Sequence, residues 1–316
     1  MSATNSSSFH PSTFILLGIP GLEDSYHWLA VPFCFMYIVA LMANSTVLYL
    51  IMSLRSLHEP MYIFLSMLSV TDLVLPSCTL PKTLGIFWFN YNSISFPGCL
   101  TQMFFIHFIY SLESDILLAM AYDRYVAICN PLKYAVIFTS SFIRKITTIG
   151  FLHSLCIVAP FTFLLHRLPY CQNNVLPHTY CEHMGVARLA CADVTVNSVY
   201  GLTAALSSMG MGAVLIVLSY VLILRSVLNM TSVHGRQKAF STCASHVCVM
   251  ILFYVPAFFS FFAHRFGKNI PITVHIFVAN LYVVVPSMLN PIIYSVSSKI
   301  IRQRLLNLFL KQIRKY

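Results

Sequence analysis

The sequence predicts an all-α membrane protein: a seven-transmembrane helix bundle with an amphipathic eighth helix and a disulfide-stapled second extracellular loop. Three observations carry this. Of the 316 residues 58% are hydrophobic and only 9% charged; apolar runs long enough to cross a bilayer recur seven times; and the basic residues gather on one set of connections. A soluble domain of this length cannot hide so much apolar surface. Lipid offers backbone groups no partner, so the runs must be helices; a barrel needs short alternating segments, which the sequence lacks.

Orientation follows from the 19 Lys and Arg residues. One side holds 14, from Arg55, Arg124, Lys133 and Arg144 to the tail with Lys299 and Arg302; the other holds Lys82, Arg167, Arg188, Arg265 and Lys268. Cytoplasmic flanks collect basic residues, so the N-terminus is expected outside and the C-terminus in the cytoplasm of a multi-pass plasma-membrane protein. The net charge of +10 then reads as topology and attraction to anionic lipid and an acidic partner, with no nucleic acid implied.

Residues 1–27 form the outer tail. Phe14 to Ile19 is apolar but short, and Pro20-Gly21 breaks it, so the first span is expected to start insertion. Asn5-Ser6-Ser7 is a glycosylation sequon on this tail; Asn44-Ser45-Thr46 lies inside span 1 and Asn229-Met230-Thr231 faces the cytosol, which discounts both. The bundle covers residues 28–296, with spans at roughly 28–54, 61–88, 99–129, 142–165, 198–228, 239–264 and 271–296. Residues 297–316 form the cytoplasmic amphipathic helix and tail, because Ser298 to Lys315 alternates Ile, Leu and Phe with Lys and Arg at helical spacing.

Six of the ten cysteines fall in the spans or at their inner ends, where they act as small apolar residues. Cys99 opens span 3, while Cys171, Cys181 and Cys191 crowd the loop between spans 4 and 5, in an oxidising compartment. Four cysteines permit three pairings. Cys99 with Cys181 would pin the loop across the bundle mouth, and Cys171 with Cys191 would close it on itself, making a stapled lid.

The charges inside the spans need reasons. Asp123 and Arg124 form an ion pair at the inner end of span 3. Asp72 sits in the middle of span 2, and Glu113 lies about three turns above Arg124, so two buried carboxylates can face each other and take up protons or a cation.

Several motifs occur in order along the spans: Pro60-Met61-Tyr62 with Leu68 to Asp72, Met120 to Tyr134, Ser219-Tyr220, Lys238 to His246, and Pro286 to Tyr294 with Asn290-Pro291 inside it. On these residues the chain closely resembles the olfactory receptors, a rhodopsin-like branch of the G-protein-coupled receptors. Phe14 to Glu23, with an Arg at the outer end of span 6, is similar to the fish-like class I subgroup. The resemblance implies a sodium site near Asp72 that Glu113 completes, and no other cofactor. It implies that Asp123 restrains Arg124 at rest, with Tyr125 in the same motif, and that Tyr220 and His246 receive Arg124 when span 6 swings outward while the Asn290-Pro291 break and Tyr294 reorganise. The partner implied is a heterotrimeric stimulatory G protein that raises cyclic AMP. The Cys-Trp-x-Pro switch of many rhodopsin-like receptors is absent; Phe253-Tyr254-Val255-Pro256 stands there instead.

Arg265 is the best ligand clue. Turned under the lid, its forked guanidinium suits a carboxylate. Below it Phe258, Phe261 and Tyr254 fall on one stripe at spacings of three and four, facing a cavity shared with His107, Tyr110, Gly201 and Ala205, with His183 and Glu182 at the entrance. The expected ligand is an odorant carboxylic acid with a hydrocarbon tail, a fatty acid; neutral odorants and metabolite acids are the alternatives. An interfacial arginine anchor and plain aromatic packing are the plainer readings. A transporter would show paired repeats and a channel a filter or charge ring, and neither is evident. No metal-ligand spacing, phosphate loop or nucleophile triad suggests an enzyme, so no catalytic residue is assigned.

Overall fold

The computed structural model describes residues 11–171, 173–266 and 270–313; the side chains of Lys238, of residues 263–266 and of residues 308–313 lie outside the described part. Two predicted site groups therefore lie outside the described residues: Asn5 and the Arg265 side chain.

The seven long helices, called spans 1 to 7, are Tyr26–Ser53, Pro60–Phe89, Phe96–Cys129, Ser140–His166, Thr195–Leu228, Val233–Phe266 and Ile272–Ser297. Each contains a stretch long and apolar enough to cross a membrane. Several spans start a few residues before their apolar runs, because polar caps open them. Ser95 accepts the N–H of Gly98 at 3.2 Å before span 3, and Thr139 that of Phe142 at 3.2 Å before span 4. Pro60 begins span 2, where its missing N–H removes no helical bond, and Asn90 ends it in the left-handed region at φ 52°. Spans 2 and 3 are the most buried and spans 4 and 5 the most exposed, so span 3 forms the axis of the bundle. The eighth helix, Lys299–Ile313, buries Ile301 and half-buries Leu305 while Arg302 and Arg304 stay exposed, as its alternation predicts.

Two features depart from the sequence reading. The outer tail is woven into the lid: β1 (Thr13–Leu16) is the central strand of a three-stranded sheet, antiparallel to β2 (Ser93–Ser95) and parallel to β3 (Val175–Leu176). Phe14 and Leu16 sit two residues apart on the buried face, and the Phe14 ring packs on Phe96 and Tyr170 with centroids 5.7 and 5.8 Å away. Gly18 then turns the chain at φ +82°, where a Cβ would collide with Tyr26 Oη, itself donating to the carbonyl of Leu17 at 2.8 Å. The second departure is a π-helical turn, Leu206–Gly210, that interrupts span 5.

Candidate functional site

The lid is anchored before it is anything else. Disulfides join Cys99 to Cys181 and Cys171 to Cys191, with Cα separations of 5.5 and 5.7 Å. The Cys181 N–H donates to Gln102 Oε1 at 2.9 Å and the Thr179 hydroxyl to Asn280 Oδ1 at 2.8 Å, tying the lid to spans 3 and 7. Glu182 caps the short lid helix His183–Ala187, accepting the N–H groups of Met184 and Gly185 at 3.2 and 2.7 Å.

Beneath lies a cavity of about 160 Å³, walled by spans 3 to 7 and the lid. His107, Tyr110, His183, Gly201, Ala205 and Phe261 all line it. His107 donates from Nδ1 to the carbonyl of Met103 at 2.8 Å, and its ring rests 5.3 Å from that of Phe161. Tyr110 stacks on Phe253 at 4.5 Å and donates to the Phe253 carbonyl at 3.3 Å.

Tyr254 and Phe258 do not line the cavity, and the sequence expectation for them is corrected. Four-residue steps run along a helix in one row, and the observed stack is Tyr254, Phe258, Phe262, with centroids 6.0 and 6.1 Å apart. That row leads outward to Phe262, which is exposed. The cavity face of span 6 is instead Ala257, Ser260 and Phe261. The Tyr254 hydroxyl hydrogen-bonds Ser114 Oγ at 2.8 Å, with Gly212 of span 5 closing over both.

Lower in the bundle, the Asp72 carboxylate accepts from Asn290 Nδ2 at 3.2 and 3.1 Å. Glu113 Oε1 and Asn290 Oδ1 are buried and meet no hydrogen-bond donor or acceptor among the described residues. No cluster of three or more His, Cys, Asp or Glu residues forms a metal site among the described residues.

At the far end Arg124 is paired with Asp123, Nε to Oδ2 at 2.8 Å with Nη2 bonded to the same oxygen, and the Tyr134 hydroxyl donates to Asp123 Oδ1 at 2.6 Å. Burial, and next that bond, push the Tyr134 phenol above its usual range. Tyr125 packs beside Ile223, Val227 and Cys243. Tyr220 Oη, His246 Nδ1 and Tyr294 Oη are buried without hydrogen-bond partners among the described residues, and the His246 and Tyr294 rings lie 5.3 Å apart. Pro291 is buried inside span 7.

A sequence model of the family described as "Olfactory receptor" matches residues 33–312. The chain is similar to three human proteins: it is 56% identical to Olfactory receptor 52D1 over 98% of both chains, 52% identical to Olfactory receptor 52B2 over 96% of this chain and 94% of that one, and 52% identical to Olfactory receptor 52H1 over 97% and 98%. The chain belongs to the olfactory receptor family. It is thus a seven-span G-protein-coupled odorant receptor in the membrane, and not an enzyme.

Among the groups lining this receptor's cavity that the sequence pattern does not single out are His178, His275 and Tyr282. The last two were findable, since His275, Ala279 and Tyr282 recur at helical spacing on span 7 and all reach the cavity. His178 was not, because its position depends on the lid's path: its Nδ1 accepts the N–H groups of Thr179 and Tyr180 at 3.0 and 3.3 Å. Ser208 and Met209 enter the lining from the π turn, which carries no sequence signature here.

Proposed function

We propose that this receptor is activated by an aliphatic carboxylic acid bound in the lid cavity, with its carboxylate on Arg265, and that it signals through a stimulatory G protein to raise cyclic AMP. The observation that supports the ligand is positional. Phe261 lines the cavity, and Arg265 follows it by four residues in the same helix, one turn nearer the lid. A cavity of about 160 Å³ suits a ligand of roughly six to ten heavy atoms. Each methylene buried there contributes roughly 0.8 kcal/mol, so potency should rise about fourfold per carbon until the space is full.

The basic-residue asymmetry supports placing the lid outside and the Arg124 end in the cytoplasm. Asn5 is then available for glycosylation. The unpartnered Tyr220, His246 and Tyr294 atoms are groups that Arg124 can meet once it leaves Asp123. Glu113 and Asn290 likewise offer unpartnered oxygens beside Asp72, a donor set that fits a sodium ion held at rest.

The experiment is a cyclic AMP dose-response panel of straight-chain acids and matching alcohols, in cells carrying wild-type receptor or Arg265→Ala at equal surface expression. Acids should activate the wild type and lose activity on the variant. Equal potency of acids on both would sink the reading. A second reading, neutral alcohols or aldehydes, is favoured by one observation: the Glu182 carboxylate lines the same cavity and repels an anion. Alcohols matching or exceeding acids in the wild-type arm would select it.

A further inference from the structure

Besides Glu113 and Asp123, span 3 carries a third carboxylate, Asp115, that neither the ligand cavity nor the switch uses. Asp115 follows Glu113 by two residues and so points to the opposite side of the helix, toward span 4. There its Oδ2 meets His153 Nδ1 at 2.9 Å and accepts from Ser154 Oγ at 3.1 Å. No donor among the described residues reaches Oδ1. The Asp115 and His153 side chains are 21% and 39% exposed, although both lie well inside apolar spans.

The exposed part of Asp115 opens into a crevice of about 220 Å³ between spans 2, 3 and 4. Val70 and Phe151 line it and are each 48% exposed on the outside of the bundle, so the mouth faces the surrounding membrane. The walls are otherwise Phe64, Met67, Leu112 and similar groups. The two lining hydroxyls are engaged, Thr71 with the Leu68 carbonyl at 2.8 Å and Thr147 with the Met67 sulfur at 3.6 Å. Gly150 holds the space open: a Cβ there would come within 3.3 Å of the Asp115 side chain.

We infer that this crevice is a second ligand site, entered from the bilayer, for a lipophilic alcohol whose hydroxyl donates to Asp115 Oδ1. The chemistry selects the head group. A carboxylate faces another carboxylate and is repelled; a bare hydrocarbon leaves Oδ1 without a donor between apolar walls. An ammonium would carry a net charge to this depth between apolar walls, which is disfavoured, whereas a neutral hydroxyl donor brings none. An alcohol also partitions into the bilayer, from which the mouth opens. The selectivity is the reverse of that proposed for the lid cavity, and it does not depend on Arg265.

The test uses purified full-length receptor in phosphatidylcholine nanodiscs and a diazirine-bearing decanol, with labelled positions mapped by mass spectrometry. Label should concentrate on Met67 and on Thr147 to Phe151. Octanol should displace it at concentrations about tenfold below those needed for octane or octanoate, the effect of about one hydrogen bond. Gly150→Leu, which fills the crevice, should remove that label while the diffuse labelling of lipid-facing residues on the other spans persists. The inference is overturned if label spreads evenly over the lipid-facing residues of all spans, if octane competes as well as octanol, or if a folded Gly150→Leu receptor labels like wild type. Should Gly150→Leu not fold, the octanol, octane and octanoate comparison on the wild type decides alone.

Discussion

The two ends of this receptor are built on opposite principles. At the lid end, two disulfides, a three-stranded sheet and hydrogen bonds to spans 3 and 7 fix the loop. At the Arg124 end stand an ion pair with one tyrosine bond and a few side-chain contacts such as Ser245 Oγ with Ser297 Oγ and Tyr62 Oη with Ser298 Oγ, while three buried polar atoms on spans 5, 6 and 7 are without partners among the described residues. A satisfied network resists change, whereas unpartnered buried groups favour any rearrangement that pairs them. On the function proposed above, the receptor holds its ligand in a rigid vessel and keeps its moving part where unpartnered groups can reward a rearrangement.

The largest effect that tests this contrast is loss of a lid disulfide. Cys99 and Cys181 are 82 residues apart and Cys171 and Cys191 are 20, so loop-closure entropy predicts a stabilisation of about 4.5 kcal/mol for the first and about 3.3 kcal/mol for the second. Cys181→Ser should abolish surface expression and Cys171→Ser should reduce it, measured by flow cytometry and by the melting temperature of purified receptor. If Cys171→Ser proves the more damaging, the lid's internal closure and not its anchoring to span 3 makes it rigid.

Next in size is the cavity wall. A buried phenylalanine contributes about 1.5–3 kcal/mol, so Phe261→Ala should lower agonist potency by about tenfold or more. Phe258→Ala, whose ring lies outside the lining, should leave potency within about twofold, as a substitution away from such features does. Equal losses in the cyclic AMP assay would show that the whole Tyr254 to Phe261 stripe meets ligand and would restore the sequence expectation.

What was legible in the sequence follows the same division. The spans were readable because hydrocarbon enforces a single rule over some twenty residues at a time. Asp123, Arg124, Asp72 and Glu113 were readable because charge inside an apolar run is conspicuous. The outer tail was not: Phe14 to Leu16 is a strand only because β2 and β3, about 80 residues away from each other, arrive on either side of it, and no local pattern encodes that pairing. The stripe on span 6 failed for a subtler reason. Spacings of three and four are both neighbours on a helix, and only the partner helices decide whether Phe258 follows Phe261 inward or Phe262 outward. Asp115 stands so close to Glu113 in the sequence that the two read as one acidic pair, yet the two-residue interval puts them on opposite faces.

The smallest predicted effect probes the loose end most directly. Tyr134 donates to Asp123 Oδ1 while Arg124 occupies Oδ2, so Tyr134→Phe removes one restraint and leaves the ion pair in place. A net loss of about 0.5–1 kcal/mol from the resting state raises ligand-independent activity roughly two- to fivefold. Asp123→Asn, which weakens both restraints, should raise it further. Because burial and the Asp123 bond hold the phenol above its usual range, the bond is complete below the unfolded value near pH 10 and weakens only as pH rises through the folded one. The ratio of basal cyclic AMP between Tyr134→Phe and wild type, normalised to surface receptor, should therefore stay constant from about pH 6 to 8. An unchanged or lowered basal signal in Tyr134→Phe would mean that Asp123 restrains Arg124 without help, and that the far end is looser still than its hydrogen bonds suggest.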